Sequence, residues 1–166
     1  YDYCITEEEC KFYGDEKASN MMLKAMVLND AQIKKYDGIL KRLSEYYYVG
    51  GDNYELSDVE TGEQAYKSDC EARAQTAASV FETHKNGFYA EIDLPRDNLV
   101  FFSIPYDEGW TAYVNGKEVE IEKVNIGFMA VMAEAGANEI RFEYKTPGLI
   151  LGLIVSLSAL VLLLMY

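Results

Sequence analysis

Residues 103–121, SIPYDEGWTAYVNGKEVEI, hold a strand end, a corner and a hairpin, and their reading decides the fold. Pro105 brings no N–H to a ladder and so closes a strand. Tyr106-Asp107-Glu108-Gly109 turn a corner. Trp110, Ala112 and Val114 then alternate with Thr111 and Tyr113, the period of a half-buried strand. Asn115-Gly116 tolerates positive φ at both positions, as a two-residue hairpin turn requires. The corner therefore returns the chain to the interior with Trp110, the single tryptophan, as a large core residue.

Working outward, residues 99–104 form a nearly unbroken apolar run, as expected of a strand covered on both faces. Upstream, residues 79–84 and 88–94 flank Lys85-Asn86-Gly87, a second Asn-Gly hairpin signal. Downstream, residues 118–124, 128–132 and 139–144 read as strands, the last two joined by Ala135-Gly136-Ala137-Asn138. The pattern predicts a mainly β fold: an antiparallel, jelly-roll-like β-sandwich over residues 78–146, with Trp110, Val114, Phe102, Ile140 and Phe142 in its core.

The N-terminal part carries a different period. Thr6-Glu7-Glu8-Glu9 fits a capping box. Residues 18–28 are rich in Met and Leu, and Ile33, Tyr36, Leu40 and Leu43 fall on one helical stripe. Residues 1–45 read as mostly helical and peripheral, and a helix is expected from about Glu63. Residues 1–77 are thus expected to form a mostly helical part packing on the sheet.

From Leu149 to Tyr166 the sequence has no charge and is interrupted only by Gly152, Ser156 and Ser158. Eighteen residues at about 1.5 Å each give roughly 27 Å, close to the ~30 Å hydrocarbon core of a bilayer. Residues 147–166 are therefore expected to be a membrane helix, cut slightly short, that meets the lipid bilayer through 148–166. Gly152 and Ser156 either admit a neighbouring helix or merely face lipid. A C-terminal lipid-anchor signal is a competing reading of the same run.

Composition separates two environments. All 28 Asp and Glu and all 15 Lys and Arg lie at or before Lys145, so the net charge of -13 belongs to the body. No Lys or Arg cluster occurs, which excludes nucleic acid as a partner. An acidic body meets cations or neutral ligands such as sugars more readily than anionic surfaces. Cys4, Cys10 and Cys70 have no metal-ligand spacing; a Cys4–Cys10 bridge and free thiols both remain open. The chain starts with Tyr1 and no signal segment precedes its polar part, so it reads as an excerpt or a processed product.

Catalytic motifs are absent. His84 stands alone beside a turn, and the adjacent Asp107 and Glu108 read as solvated corner carboxylates rather than an acid pair. No phosphate loop, dinucleotide fingerprint or HExxH motif occurs, so neither a cofactor, nor a metal, nor a catalytic residue is expected here. The one pattern that suits a ligand is EYYYVGGDNYE, residues 45–55, where tyrosines surround a Gly-Gly loop. Aromatic faces stack on the C–H face of a pyranose while polar neighbours take its hydroxyls. Tyr46, Tyr47, Tyr48, Asp52, Asn53 and Tyr54, together with Tyr106 and Asp107 of the corner, are the candidate glycan-binding residues. The more ordinary reading of the same tyrosines is packing of the helices onto a sheet with their hydroxyls wet.

Ser103-Ile104-Pro105-Tyr106, Gly109-Trp110, Asn115-Gly116-Lys117, Asn125, Phe128, Gly136, Ile140 and Tyr144, followed by Gly152 and Ser156 within the apolar run, resemble the C-terminal part of the YfhO family of bacterial polytopic membrane proteins. The match is specific over residues 99–160 and looser before. Asn138 departs from it, standing where a histidine is expected in a turn. The resemblance implies a GT-C-type glycosyltransferase that decorates teichoic acid or another cell-surface polymer from polyprenyl-phosphate sugars. This chain would be its last extracytoplasmic domain and the start of its final membrane helix. Its partners would be the remaining membrane domain of the same protein and a glycan or teichoic acid, at the outer side of the cell membrane. The family's acidic catalytic residues lie upstream of this chain, so none is placed here. A stand-alone, membrane-anchored carbohydrate-binding or adhesion module is the rival reading.

Overall fold

The computed structural model describes residues 1–12, 14–44 and 62–166. The fold is mainly β, with antiparallel sheets and a few helices. Eight strands make up its centre: β4 (Val80–His84), β5 (Gly87–Leu94), β6 (Asn98–Pro105), β7 (Trp110–Val114), β8 (Lys117–Val119), β9 (Glu122–Val124), β10 (Phe128–Ala133) and β11 (Gly136–Tyr144). They form a five-stranded sheet, β4-β5-β11-β7-β8, and a three-stranded sheet, β6-β10-β9. The two sheets face each other over one core that includes Phe88, Phe102, Val114, Val131, Ile140 and Phe142.

Burial on both faces of β6 has a concrete cause. Val100 and Phe102 point into the shared core, whereas Leu99, with Val124 of β9 and Ala130 of β10, packs outward against Met26, Leu28, Tyr36 and Leu40. The N-terminal residues thus cover the outer face of the three-stranded sheet. Among them lie three short strands that helical periodicity does not reveal: β1 (Tyr3–Thr6), β2 (Met26–Leu28) and β3 (Lys41–Arg42), paired in parallel in the order β2-β1-β3. Helices α1 (Glu7–Phe12), α2 (Gly14–Lys24) and α3 (Asp30–Lys35) connect them. All three residues of β2 are buried, so no alternation betrays that strand. The capping box at Thr6 is formed, with the Thr6 N–H donating to Glu9 at 2.7 Å and the Glu9 N–H donating to Thr6 Oγ1 at 3.0 Å. Cys4 and Cys10 are buried in separate clusters and are not bridged. The expected helix near Glu63 is α4 (Glu63–Gln75).

The two Asn-Gly turns work differently. Asn115 (φ 52) and Gly116 (φ 78) occupy the left-handed region between paired Val114 and Lys117, as their sequence predicts. In the first hairpin His84 pairs with Gly87, so Lys85 and Asn86 form the turn and Gly87 opens β5. Gly87 is needed for a close approach: a Cβ there would lie 1.9 Å from the carbonyl oxygen of Phe142 on β11. Gly87→Ala is expected to pry β5 from β11 and to cost about 1–3 kcal/mol or more, read as a lowered thermal midpoint. An unchanged midpoint would show that the ladder does not close as described. Residues 118–124 are also two strands, β8 and β9, because the chain leaves one sheet for the other between Val119 and Glu122.

After β11 the chain passes Gly148, at φ 74, into α5 (Leu149–Met165), a 17-residue helix exposed along its length. No helix among the described residues is long and apolar enough to cross a membrane.

Candidate functional site

The corner that the sequence singles out is held by backbone N–H donors. The Gly109 N–H donates to Asp107 Oδ1 (2.8 Å) and the Trp110 N–H to the Asp107 carbonyl (3.2 Å). Lys145 N–H donates to the Gly109 carbonyl (2.9 Å), and Tyr144 N–H to the Asn86 carbonyl (2.7 Å). One end of the five-stranded sheet therefore gathers the 85–86 turn, the 105–110 corner and the exit toward α5. Gly109 fits because a Cβ there would meet the Lys145 carbonyl oxygen at 2.5 Å.

Trp110 is only partly buried. Its ring lies at the edge of the core, 4.9 Å from Tyr144 and 5.6 Å from Phe88. It has a reason to stay there: it walls a groove of about 810 Å³ that the 84–87 turn, Pro105, Asp107, Tyr144 and the first residues of α5 complete. The hydrogen bond to Asp107 raises the pKa of the Tyr144 hydroxyl, with burial adding to it. The Asp107 carboxylate is thus engaged by the Gly109 N–H.

Of the residues proposed for glycan contact, Tyr106 and Asp107 are described, and the structure separates them. Asp107 lines the groove. Tyr106 does not; its ring is exposed beside Lys123, whose ammonium lies 6.0 Å from the centroid, and its N–H donates to Gly127 (2.8 Å). Tyr46, Tyr47, Tyr48, Asp52, Asn53 and Tyr54 lie outside the described residues. Tyr144, Lys85 and Lys145 belong to the groove and were not singled out by the sequence. A signal existed, since Lys145 is the last charge before the apolar run.

A second polar cluster was invisible in the sequence. Glu122, buried on β9, accepts from Gln32 Nε2 (2.6 Å), Lys35 Nζ (2.5 Å) and the Tyr36 hydroxyl (2.6 Å). Burial works to raise its pKa, but the bonds from Lys35, Tyr36 and Gln32 outweigh burial and hold it below the ordinary carboxylate range. Bonds to Glu120 and Glu122 raise Lys35, and burial followed by the bond to Glu122 pushes Tyr36 up to about 12. Held by three donors, this carboxylate clamps α3 to β9. Asn125, at φ 48, supports the same junction: it accepts from the Val27 N–H through Oδ1 (2.7 Å) and donates its own N–H to the Val27 carbonyl (3.0 Å). Asn138 is likewise part of a strand and not of a turn. Its amide donates to Glu134 O (2.7 Å) and Gly136 O (2.8 Å) and accepts from Asn115 (3.0 Å), tying the two distal turns together. Among the described residues no three His, Cys, Asp or Glu converge as a metal set.

Residues 47–156 match a family described as bacterial membrane protein YfhO. A curated relative, the uncharacterized protein YfhO of Bacillus subtilis (strain 168), is 31% identical over 116 residues, which cover 68% of this chain and 14% of that protein. The chain thus spans about a seventh of the curated relative it matches. No solved structure matches it. With two thirds of its length inside the family match, the chain belongs to the YfhO family of bacterial membrane proteins.

Proposed function

We propose that this chain is an accessory extracytoplasmic module of a polytopic membrane glycosyltransferase that decorates teichoic acid or another cell-surface polymer with polyprenyl-phosphate-linked sugar. Its task is to cap the membrane domain of the same protein and to hold acceptor glycan near it. The observation that carries this reading is α5: an uncharged helix, exposed throughout, leaves the last strand within a few residues. Exposed Leu and Ile on every side of a helix suit lipid, and residues 148–166 would sit in the bilayer. Seventeen residues span about 26 Å, slightly less than the ~30 Å hydrocarbon core. The acidic body favours a face held away from anionic lipid. Nested pairing of β5 with β11 and β6 with β10 supports the jelly-roll-like reading of the sandwich.

For the glycan, the exposed ring of Tyr106 offers a stacking surface, and residues 46–54 would add further rings. The sidedness is tested in cells producing the full-length protein, with Cys70→Ser and a new cysteine at Lys117 on the exposed distal hairpin. A membrane-impermeant maleimide is expected to label it in intact cells. Labelling only after the membrane is broken would place the module inside and end the proposal.

A further inference from the structure

We propose that the groove between the sandwich and α5 binds the phosphate headgroup of an anionic phospholipid. The inference rests on the reading of α5 as a bilayer helix. Three observations support it. The first is continuity: the 810 Å³ groove shares Thr146, Leu149 and Ile150 with an adjoining hollow of about 410 Å³ that follows α5 as far as Ile154. An acyl chain lying along the helix would lead its headgroup into the groove.

The second is the chemistry of the lining. Leu149 and Ile150 of α5 are apolar, and Trp110 and Tyr144 combine an apolar body with a polar tip, which suits the depth of lipid headgroups. Lys85 and Lys145 line the same groove, their segments joined by the bond from Tyr144 N–H to the Asn86 carbonyl.

The third is charge. Lys85 and Lys145 share the groove with one lining carboxylate, that of Asp107, which already accepts from the Gly109 N–H. A locally cationic hollow on a chain of net charge -13 is selective for an anion that reaches it from the helix side. Screening over roughly 8 Å at physiological salt limits repulsion from the distal acids.

Trp110, the single tryptophan, lines the groove and reports directly. The chain is reconstituted into vesicles of phosphatidylcholine with a minor share of phosphatidylglycerol, the brominated acyl chains carried by one lipid or the other. Brominated phosphatidylglycerol is expected to quench Trp110 more strongly than its share of the lipid accounts for. Each lysine near an anionic surface contributes enough that the pair Lys85→Glu, Lys145→Glu should lose roughly thirtyfold of that preference. Lys117→Glu at the far hairpin should keep it, which separates a local site from net charge. Both lysines of the pair are exposed, and a preference lost together with the native circular dichroism spectrum would be re-tested with Lys85→Gln, Lys145→Gln.

If inorganic phosphate at millimolar level abolishes the preference, the groove takes free phosphate and the lipid assignment is overturned. If the chain floats with both kinds of vesicle but the two brominated lipids quench equally, the groove proposal fails while the membrane reading survives. Failure to float with any vesicle overturns both.

Discussion

Phe142→Ala is expected to remove about 3–5 kcal/mol from the stability of the sandwich. Phe142 is 1% exposed and sits on β11, the strand that β5 and β7 flank. Its ring stacks on Phe88 at 4.5 Å and 14° and meets Phe102 edge-on at 5.0 Å across the two sheets. Deleting it removes both transfer energy and the support of its neighbours, and the rigid ladder on either side cannot close the cavity. Urea unfolding followed by Trp110 emission should show a lower midpoint with an unchanged slope. Trp110→Ala should cost less, since that ring is only partly buried at the groove. A loss under about 1 kcal/mol for Phe142→Ala would contradict the single core.

Glu122→Gln should cost about 2–3 kcal/mol, because charged hydrogen bonds are the stronger ones and an amide cannot accept from Gln32, Lys35 and Tyr36 together. The damage belongs to the junction between the N-terminal strands and β9. Its pH dependence carries a sign. Glu122 is held below its ordinary value of 4.5, so its contribution is fully present above that pH and is lost as pH falls through the lower folded value. The difference between the parent and Glu122→Gln should therefore be constant near neutrality and shrink in acid below about 4.5. Equal stability of the two at neutral pH would show that the clamp does not hold the cover to the sheet.

The centre of the fold was legible because its signals are local. The apolar run at 99–104, the alternation after Trp110 and the Asn115-Gly116 turn each express the period or φ of the element they form. The parallel strands β1 to β3 were not legible, since two to four residues carry no period and β2 is buried on both sides. Gly87 was legible as a turn signal but for the wrong reason: its cause, the Phe142 carbonyl, lies on another strand. The Glu122 network escaped for the same kind of reason, its partners being 86 to 90 residues away in sequence. Of the candidate site, the corner at Asp107 could be read, but its closure by Lys85 and Lys145 arises only when β5, β7 and β11 come side by side.

Whether α5 seats the sandwich on a bilayer with its corner end down is measured directly by spin-label depth in vesicles, with labels at Leu153 on α5 and at Gly116 in the distal hairpin. The label at Leu153 is expected to be accessible to oxygen and shielded from a water-soluble relaxant, and the label at Gly116 the reverse. A label at Leu153 that the water-soluble relaxant reaches as readily as the one at Gly116 would contradict it.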